Sequence, residues 1–216
     1  MPDLNFSVLG AEPVHYAAVP MIGFRLGVTS QDPQETIYTV ALRCQIQLDA
    51  ARRHYSAEER ANLKDLFGTP DRWGQTLKSM LWTHASVVVP QFTGNTEVQL
   101  QVPCTFDFNV AATKYFHGLS AGDLPLNFLF SGTTFYRNSE GSVQVAPISW
   151  DKESRFRLPL AAWREVIELF YPNTAWMCLR RDVFERLYKL KVEHGITSWE
   201  QLLEELLAAQ DEAVRS

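Results

Sequence analysis

Hydrophobic and polar positions alternate most regularly over residues 98–110. Val98, Leu100, Val102, Cys104, Phe106, Phe108 and Val110 occupy even positions, and Glu97, Gln99, Gln101, Thr105, Asp107 and Asn109 stand between them. A period of two puts one set in a core and the other in water, which predicts a half-buried strand. Pro103 interrupts the hydrogen-bond ladder without shifting the phase, so the strand belongs at an edge or carries a bulge. Shorter strand-like runs precede it at Phe6–Leu9, Ile22–Val28 and Ile37–Leu48, separated by Pro and Gly turn signals, and Trp82–Val89 is β-branched up to Pro90. The apolar run Leu124–Tyr136, a turn at Asn138–Gly141 and Val143–Ile148 read as a hairpin, and a further extended segment ends near Leu158.

Helical spacing appears in two places. Ser56 and Glu59 form a capping box ahead of Leu63, Leu66 and Phe67, with Gly68 as the stop; Thr69-Pro70 then introduces Trp73, Leu77, Met80 and Leu81. This predicts a short helical insertion at about 56–81. After Pro159, Leu160, Trp163, Ile167 and Phe170 share a helical face that Pro172 ends. A brief extended piece at Trp176–Leu179 precedes a helix bearing Val183, Leu187 and Leu190, which Gly195 can cap. Thr197 and Glu200 suggest a capping box for the last helix, whose stripe is Trp199, Leu202, Leu203, Leu206 and Leu207.

With no regular strand–helix alternation, the expected fold is α+β: an antiparallel β-sandwich (Ig/C2-like) with a short helical insertion and C-terminal helices. The expected domains are residues 1–158 for the sandwich and 159–216 for a helical segment packed on it. The 216 residues are 46% hydrophobic and 21% charged, ordinary globular composition. A formal net charge of -5 supplies no positive field for phosphates, so nucleic acid is not an expected partner. Uncharged stretches are interrupted before the ~20 residues a membrane helix needs, and Met1–Gly10 has neither basic nor apolar character of a leader. The expectation is a cytoplasmic chain without membrane insertion.

Candidate chemistry is sparse. There is no phosphate-binding or dinucleotide glycine motif, no G-x-S-x-G and no H-E-x-x-H, and no catalytic residue or cofactor is assigned. Arg52, Arg53 and His54 form a compact basic patch that could grip an acidic partner or simply be a solvated face. Trp82 with His84, and Lys114 with His117, mix aromatics and charge and could line a recognition surface or pin loops on the sandwich. The Trp199 stripe fits either the chain's own core or a partner's groove. Cys44, Cys104 and Cys178 have no framework spacing; Cys44, Cys104, His84 and His117 could form a metal or small-molecule site only if the fold brought them together. Asp107, Asp151 and Glu153 are the acidic residues placed at strand ends near aromatics, where burial could raise a carboxyl pKa.

ALRCQIQLDAARRHYS from Ala41, LFGTPDRWG from Leu66, LWTHASVVVPQFTG from Leu81, VPCTFDFNVAATKYFHGL from Val102, LPLNFLFSGTTFYR from Leu124 and SWDKESRFRLPL from Ser149 together resemble an uncharacterised bacterial family. The resemblance covers most of the chain. It implies an actinobacterial setting, often beside genes for nickel–iron uptake hydrogenases, and hence a non-enzymatic accessory or assembly protein whose partners are hydrogenase subunits or maturation factors. It transfers no catalytic residue.

Overall fold

The computed structural model describes residues 2–105, 110–138, 141–175 and 177–215. The chain divides into two compact units, Met1–Thr174 and Ala175–Ser216.

In the first unit the strands are β1 (Leu4–Pro13), β2 (Met21–Ser30), β3 (Thr36–Leu48), β4 (Met80–Val89), β5 (Phe92–Thr93), β6 (Asn95–Pro103), β7 (Asp123–Arg137), β8 (Val143–Pro147) and β9 (Glu153–Pro159). They form two antiparallel sheets. One has the order β1-β2-β6; the other runs β4-β3-β7-β8, with β5 also on β3 and β9 also on β7. β6 is an edge strand whose last residue is Pro103, opposite Met21; the next N–H, of Cys104, still donates to the Pro20 carbonyl at 2.8 Å, so the proline's missing donor falls on the unpaired side of the edge. The fold is mixed α+β.

Alternation explains why these strands face one another. Ile22, Phe24, Leu26 and Val28 of β2, Val40 to Leu48 in steps of two on β3, and Leu124, Leu126, Phe128 and Phe130 of β7 are all buried. Phe24 sits edge-on to Trp82 (6.2 Å), Phe128 (5.1 Å) and Phe156 (6.1 Å), so one ring of the smaller sheet meets three strands of the larger. Phe6 stacks on Phe130 at 4.8 Å. Edge-to-face pairs of this kind add about 1 kcal/mol each to the area they bury.

The insertion is helical but more broken than its spacing predicts. Ser56 and Glu59 close the expected capping box on α1 (Ala57–Asn62), α2 (Lys64–Phe67) ends at Gly68 (φ 75°), and a 3₁₀ turn at Pro70–Arg72 leads into α3 (Trp73–Thr76). Met80 and Leu81 open β4 instead of continuing this helix, because they pair with Leu48 and Gln47 of β3. Sheet pairing there overrides a helical spacing carried by few residues.

A second difference lies beyond Pro103. Val110, read as the end of a strand, begins α4 (Val110–Gly118), which buries Ala112, Tyr115 and Phe116 on one face. Phe106, Asp107, Phe108 and Asn109 lie outside the described residues. α5 (Leu160–Phe170) packs against β1, β2 and β9 within the first unit, burying Leu160, Trp163 and Val166.

The second unit holds α6 (Arg181–Glu193) and α7 (Trp199–Arg215). Trp176 lies outside the described residues, and Met177–Arg180 form no strand. Gly195 adopts the left-handed conformation (φ 66°), and the Ile196 N–H donates to the Lys191 carbonyl at 3.0 Å, which ends α6 as a Schellman turn. Ser198 rather than Thr197 caps α7, its Oγ accepting from the Gln201 N–H at 3.0 Å. Trp199 lies 5.2 Å from the Phe184 ring and 6.3 Å from that of Tyr188.

Candidate functional site

The Arg52-Arg53-His54 triplet does not remain a patch. Arg53 turns inward with its side chain 8% exposed, donating to Glu59 Oε1 at 2.6 Å and to the carbonyls of Asp123 (2.5 Å) and Ala121. It ties the chain after β3 to α1 and to the turn before β7. Burial alone would raise the Glu59 carboxyl, but the Ser56 and Ser120 N–H groups and Arg53 hold it below its ordinary value. Arg52 pairs with Asp49 at 2.9 Å, and His54 is exposed. Only these two of the three reach solvent.

Trp82 is likewise a core residue, 4% exposed and edge-on to Phe116 at 5.3 Å. Lys114 lies on the open side of α4 and pairs with Asp65 at 2.9 Å, both half-exposed, an ion pair worth under ~1 kcal/mol. His117, on the same side, stands edge-on to Trp163 at 5.1 Å beside a groove of about 650 Å³ lined by Trp163, Arg164, Glu165, Ile167 and Glu168. Partial burial and the Arg164 guanidinium keep the His117 imidazole below its usual pKa. Arg164 itself donates to the carbonyls of Leu119 (2.6 Å) and Ser120 (2.8 Å).

The four Cys and His candidates are not brought together. Cys44 faces inward on β3 opposite Ala85 and Phe130, whereas His84 lies opposite Gln45 on the outer face of the same sheet. Cys104 follows β6, and His117 is on α4. Burial pushes the Cys44 and Cys104 thiols up to about 12, the mark of inert, protonated sulfur. Among the described residues no group of three or more His, Cys, Asp or Glu is arranged to hold a metal. Asp151 is fully exposed, and its carboxyl is lowered by the Ser149 hydroxyl and its own backbone, contrary to the expectation of a raised value. Glu153 is exposed and pairs with Arg155 at 3.4 Å. Asp107 lies outside the described residues.

What the first unit does present is the outer face of β4-β3-β7-β8. Cross-strand register places Val88, Ala41, Thr133 and Pro147 in one row, and Thr39, Phe135 and Val145 in the next. Val88, Val143 and Val145 are 70%, 59% and 60% exposed. Beside Val88 is a shallow groove of about 480 Å³ lined by Ala41, Arg43, Ser86, Val88, Ser131 and Gly132. Its floor is Gly132 at φ 142°, where a Cβ would collide with the Ala41 carbonyl oxygen, so β3 and β7 approach closely only because this residue is glycine. His84 lies on this face; Arg43, Val88 and Val145 were missed. A signal for them exists, since Val87-Val88-Val89 breaks the alternation of β4 and must place a valine outside. In the second unit, Trp199 is half-buried, while Phe184, Tyr188, Val192, Leu206 and Leu207 are exposed.

These features define a class, a mixed α+β chain of two antiparallel sheets with several helices and no helix among the described residues long and apolar enough to cross a membrane. More narrowly, the chain belongs to a family of unknown function, DUF6084, whose model matches residues 1–215. No curated protein matches it. Among solved structures it is similar to the ApaA protein from Bordetella pertussis, at 15% identity over 73% of this chain and 93% of that one (TM-score 0.28). It is also similar to a late embryogenesis abundant protein, at 13% identity over 74% and 73% (TM-score 0.31). Similarity to β-glucosidase 3B from Thermotoga neapolitana, solved with α-D-glucose, is 11% over 72% of this chain and 17% of that one (TM-score 0.27).

Proposed function

We propose that this chain is a non-enzymatic accessory protein that binds a partner protein on the outer face of β4-β3-β7-β8. The observation that carries the reading is the exposure, each by more than half, of Val88 on β4 and of Val143 and Val145 on β8, the two ends of one paired sheet face whose rows between them include Ala41, Thr133, Phe135 and Pro147. Aliphatic side chains held in water across a sheet face cost hydration free energy that a partner's contact would recover. Arg43 beside Val88, and His84 farther along the face, supply polar groups there. The scaffold reading is an Ig/C2-like sandwich, supported by strand order: first, second and sixth strands in one sheet, third, fourth, fifth, seventh, eighth and ninth in the other. The sequence resemblance directs the choice of partner to the subunits and maturation factors of a nickel–iron hydrogenase. The test is affinity purification of the tagged chain from its natural host under hydrogenase-inducing conditions, alongside a Val88→Lys, Val145→Lys variant. Recovery of hydrogenase proteins with the parent chain and their loss from the variant supports the reading; identical recovery from both refutes the sheet face as the site.

A further inference from the structure

We infer that the open edge of β8 takes up an extended segment of the partner protein as an added strand. The inference rests on the reading of the outer sheet face as a protein contact and names how the partner is held there. Hydrogen bonds flanking β8 fix which way its main chain points. The Ile148 N–H donates to the Gly132 carbonyl and the Asn138 N–H to the Ser142 carbonyl, both at 3.0 Å, in the same register that pairs Thr134 with Ala146 and Tyr136 with Gln144. Bonded and non-bonded pairs alternate along an antiparallel ladder, so Gln144 and Ala146 turn their main-chain groups to β7. Val143 and Val145 turn theirs away, as does Pro147 with its carbonyl alone. Among the described residues no other group meets these donors and acceptors.

The other edges of the two sheets are covered or charged, which is how folded sheets avoid unwanted pairing. β1 lies against α5 and β9, and β4 and β6 lie against each other. β9 shares one side of β7 with β8. There the Phe130 N–H donates to the Lys152 carbonyl at 2.9 Å, and the same alternation points the main chain of Glu153, Arg155 and Arg157 outward. Those three positions carry charge. Their counterparts on β8 are Val143, Val145 and Pro147, so β8 has no charged guard and, among the described elements, no comparable neighbour besides β7. Trp150, 92% exposed, stands in the turn that follows β8. Donors and acceptors at strand spacing are matched by an extended backbone, not by a helix, whose own main-chain groups are already paired. The lack of charge on β8 selects an uncharged, aliphatic segment, and the exposed tryptophan beyond the strand supplies an anchor for it.

The test is amide hydrogen exchange of the full chain with and without about 1 mM of the acetylated octapeptide Lys-Thr-Val-Thr-Val-Thr-Val-Lys, whose terminal lysines keep it soluble. In the chain alone the Val143 and Val145 amides should exchange freely, while those of Gln144 and Ala146 are protected by β7. The peptide should slow Val143 and Val145 at least about fivefold. Val143→Pro removes one outward donor at the first position of the strand, where proline is tolerated, and should weaken peptide binding about fivefold with an unchanged near-ultraviolet spectrum. Val143→Thr keeps the donor and should weaken binding less than Val143→Pro does. Val143 and Val145 amides already protected in the chain alone, no slowing by the peptide, or a folded Val143→Pro variant that binds as tightly as the parent would each overturn the inference. Capture with the Val88→Lys, Val145→Lys variant reports on side chains of the face and not on these donors, so the two readings can fail separately.

Discussion

The two units use aromatic residues in opposite ways. In the sheet unit Phe24, Tyr115, Phe116, Phe128 and Trp163 are at most 3% exposed, whereas in the helical unit Phe184 and Tyr188 are 45% and 54% exposed. The residue types are the same; the number of layers differs. A strand face has a second sheet to meet, so rings on the inner faces acquire neighbours on every side, while Tyr16 and Trp150, in turns off those faces, stay in water. A pair of helices offers one seam, and what lies beside it faces water until another surface arrives. Aromatics on the sheet faces therefore fill the interior of the first unit, whereas in the second Phe184 and Tyr188 pack on Trp199 and stay about half in water.

That contrast should appear first in the cost of truncation. Phe24→Ala removes the ring that touches Trp82, Phe128 and Phe156, and a loss of about 4 kcal/mol in urea-induced unfolding is expected. Trp163→Ala should cost about as much, while Trp199→Ala, half-buried against Phe184 and Tyr188, should cost about 1–2 kcal/mol and affect only the helical signal. Equal costs at the two tryptophans would break the comparison.

Arg53→Ala comes next, at about 3 kcal/mol, because it strands the buried Glu59 carboxylate and frees two carbonyls of the turn before β7. The pH dependence sharpens this. The folded pKa of Glu59 is depressed, so its stabilising contribution is present above the unfolded value near ~4.3 and is lost as pH falls through the folded value. Unfolding curves of the parent chain should therefore weaken over that acid window more than those of the variant. Val88→Lys, Val145→Lys should shift stability by no more than ~0.5 kcal/mol, since both side chains are already in water. The smallest effect concerns thiols: in the folded chain a thiol reagent should modify Cys178, which is exposed, and reach Cys44 and Cys104 only after denaturation.

Much of the sheet unit is legible in sequence because a two-residue period is hard to imitate: the alternation up to Pro103 in β6 and the β7 run correspond to what forms, as does the Ser56–Glu59 box. Short helices are less legible. Met80 and Leu81 fit a helical spacing equally well, and only pairing with β3 decides for a strand. α4 is hidden because Val110 continues the even phase of the strand before it, although Ala112, Tyr115 and Phe116 already hold helical spacing. The candidate site is the least legible part. Arg53 and Trp82 look like surface groups next to charged neighbours, yet one is consumed by carbonyls and a carboxylate and the other by Phe24 and Phe116. Val88 is signalled locally by the Val87-Val88-Val89 run, but placing it on one face with Val145 needs cross-strand register, which no local pattern contains.

The most direct measurement is quantitative mass spectrometry of proteins retained by the tagged parent chain and by Val88→Lys, Val145→Lys, purified in parallel from the natural host. Retention of a defined partner by the parent and its depletion at least about tenfold with the folded variant is the expected result. A partner retained equally by both, or none retained by either under hydrogenase-inducing conditions, would contradict the assignment of the sheet face as a protein-binding surface.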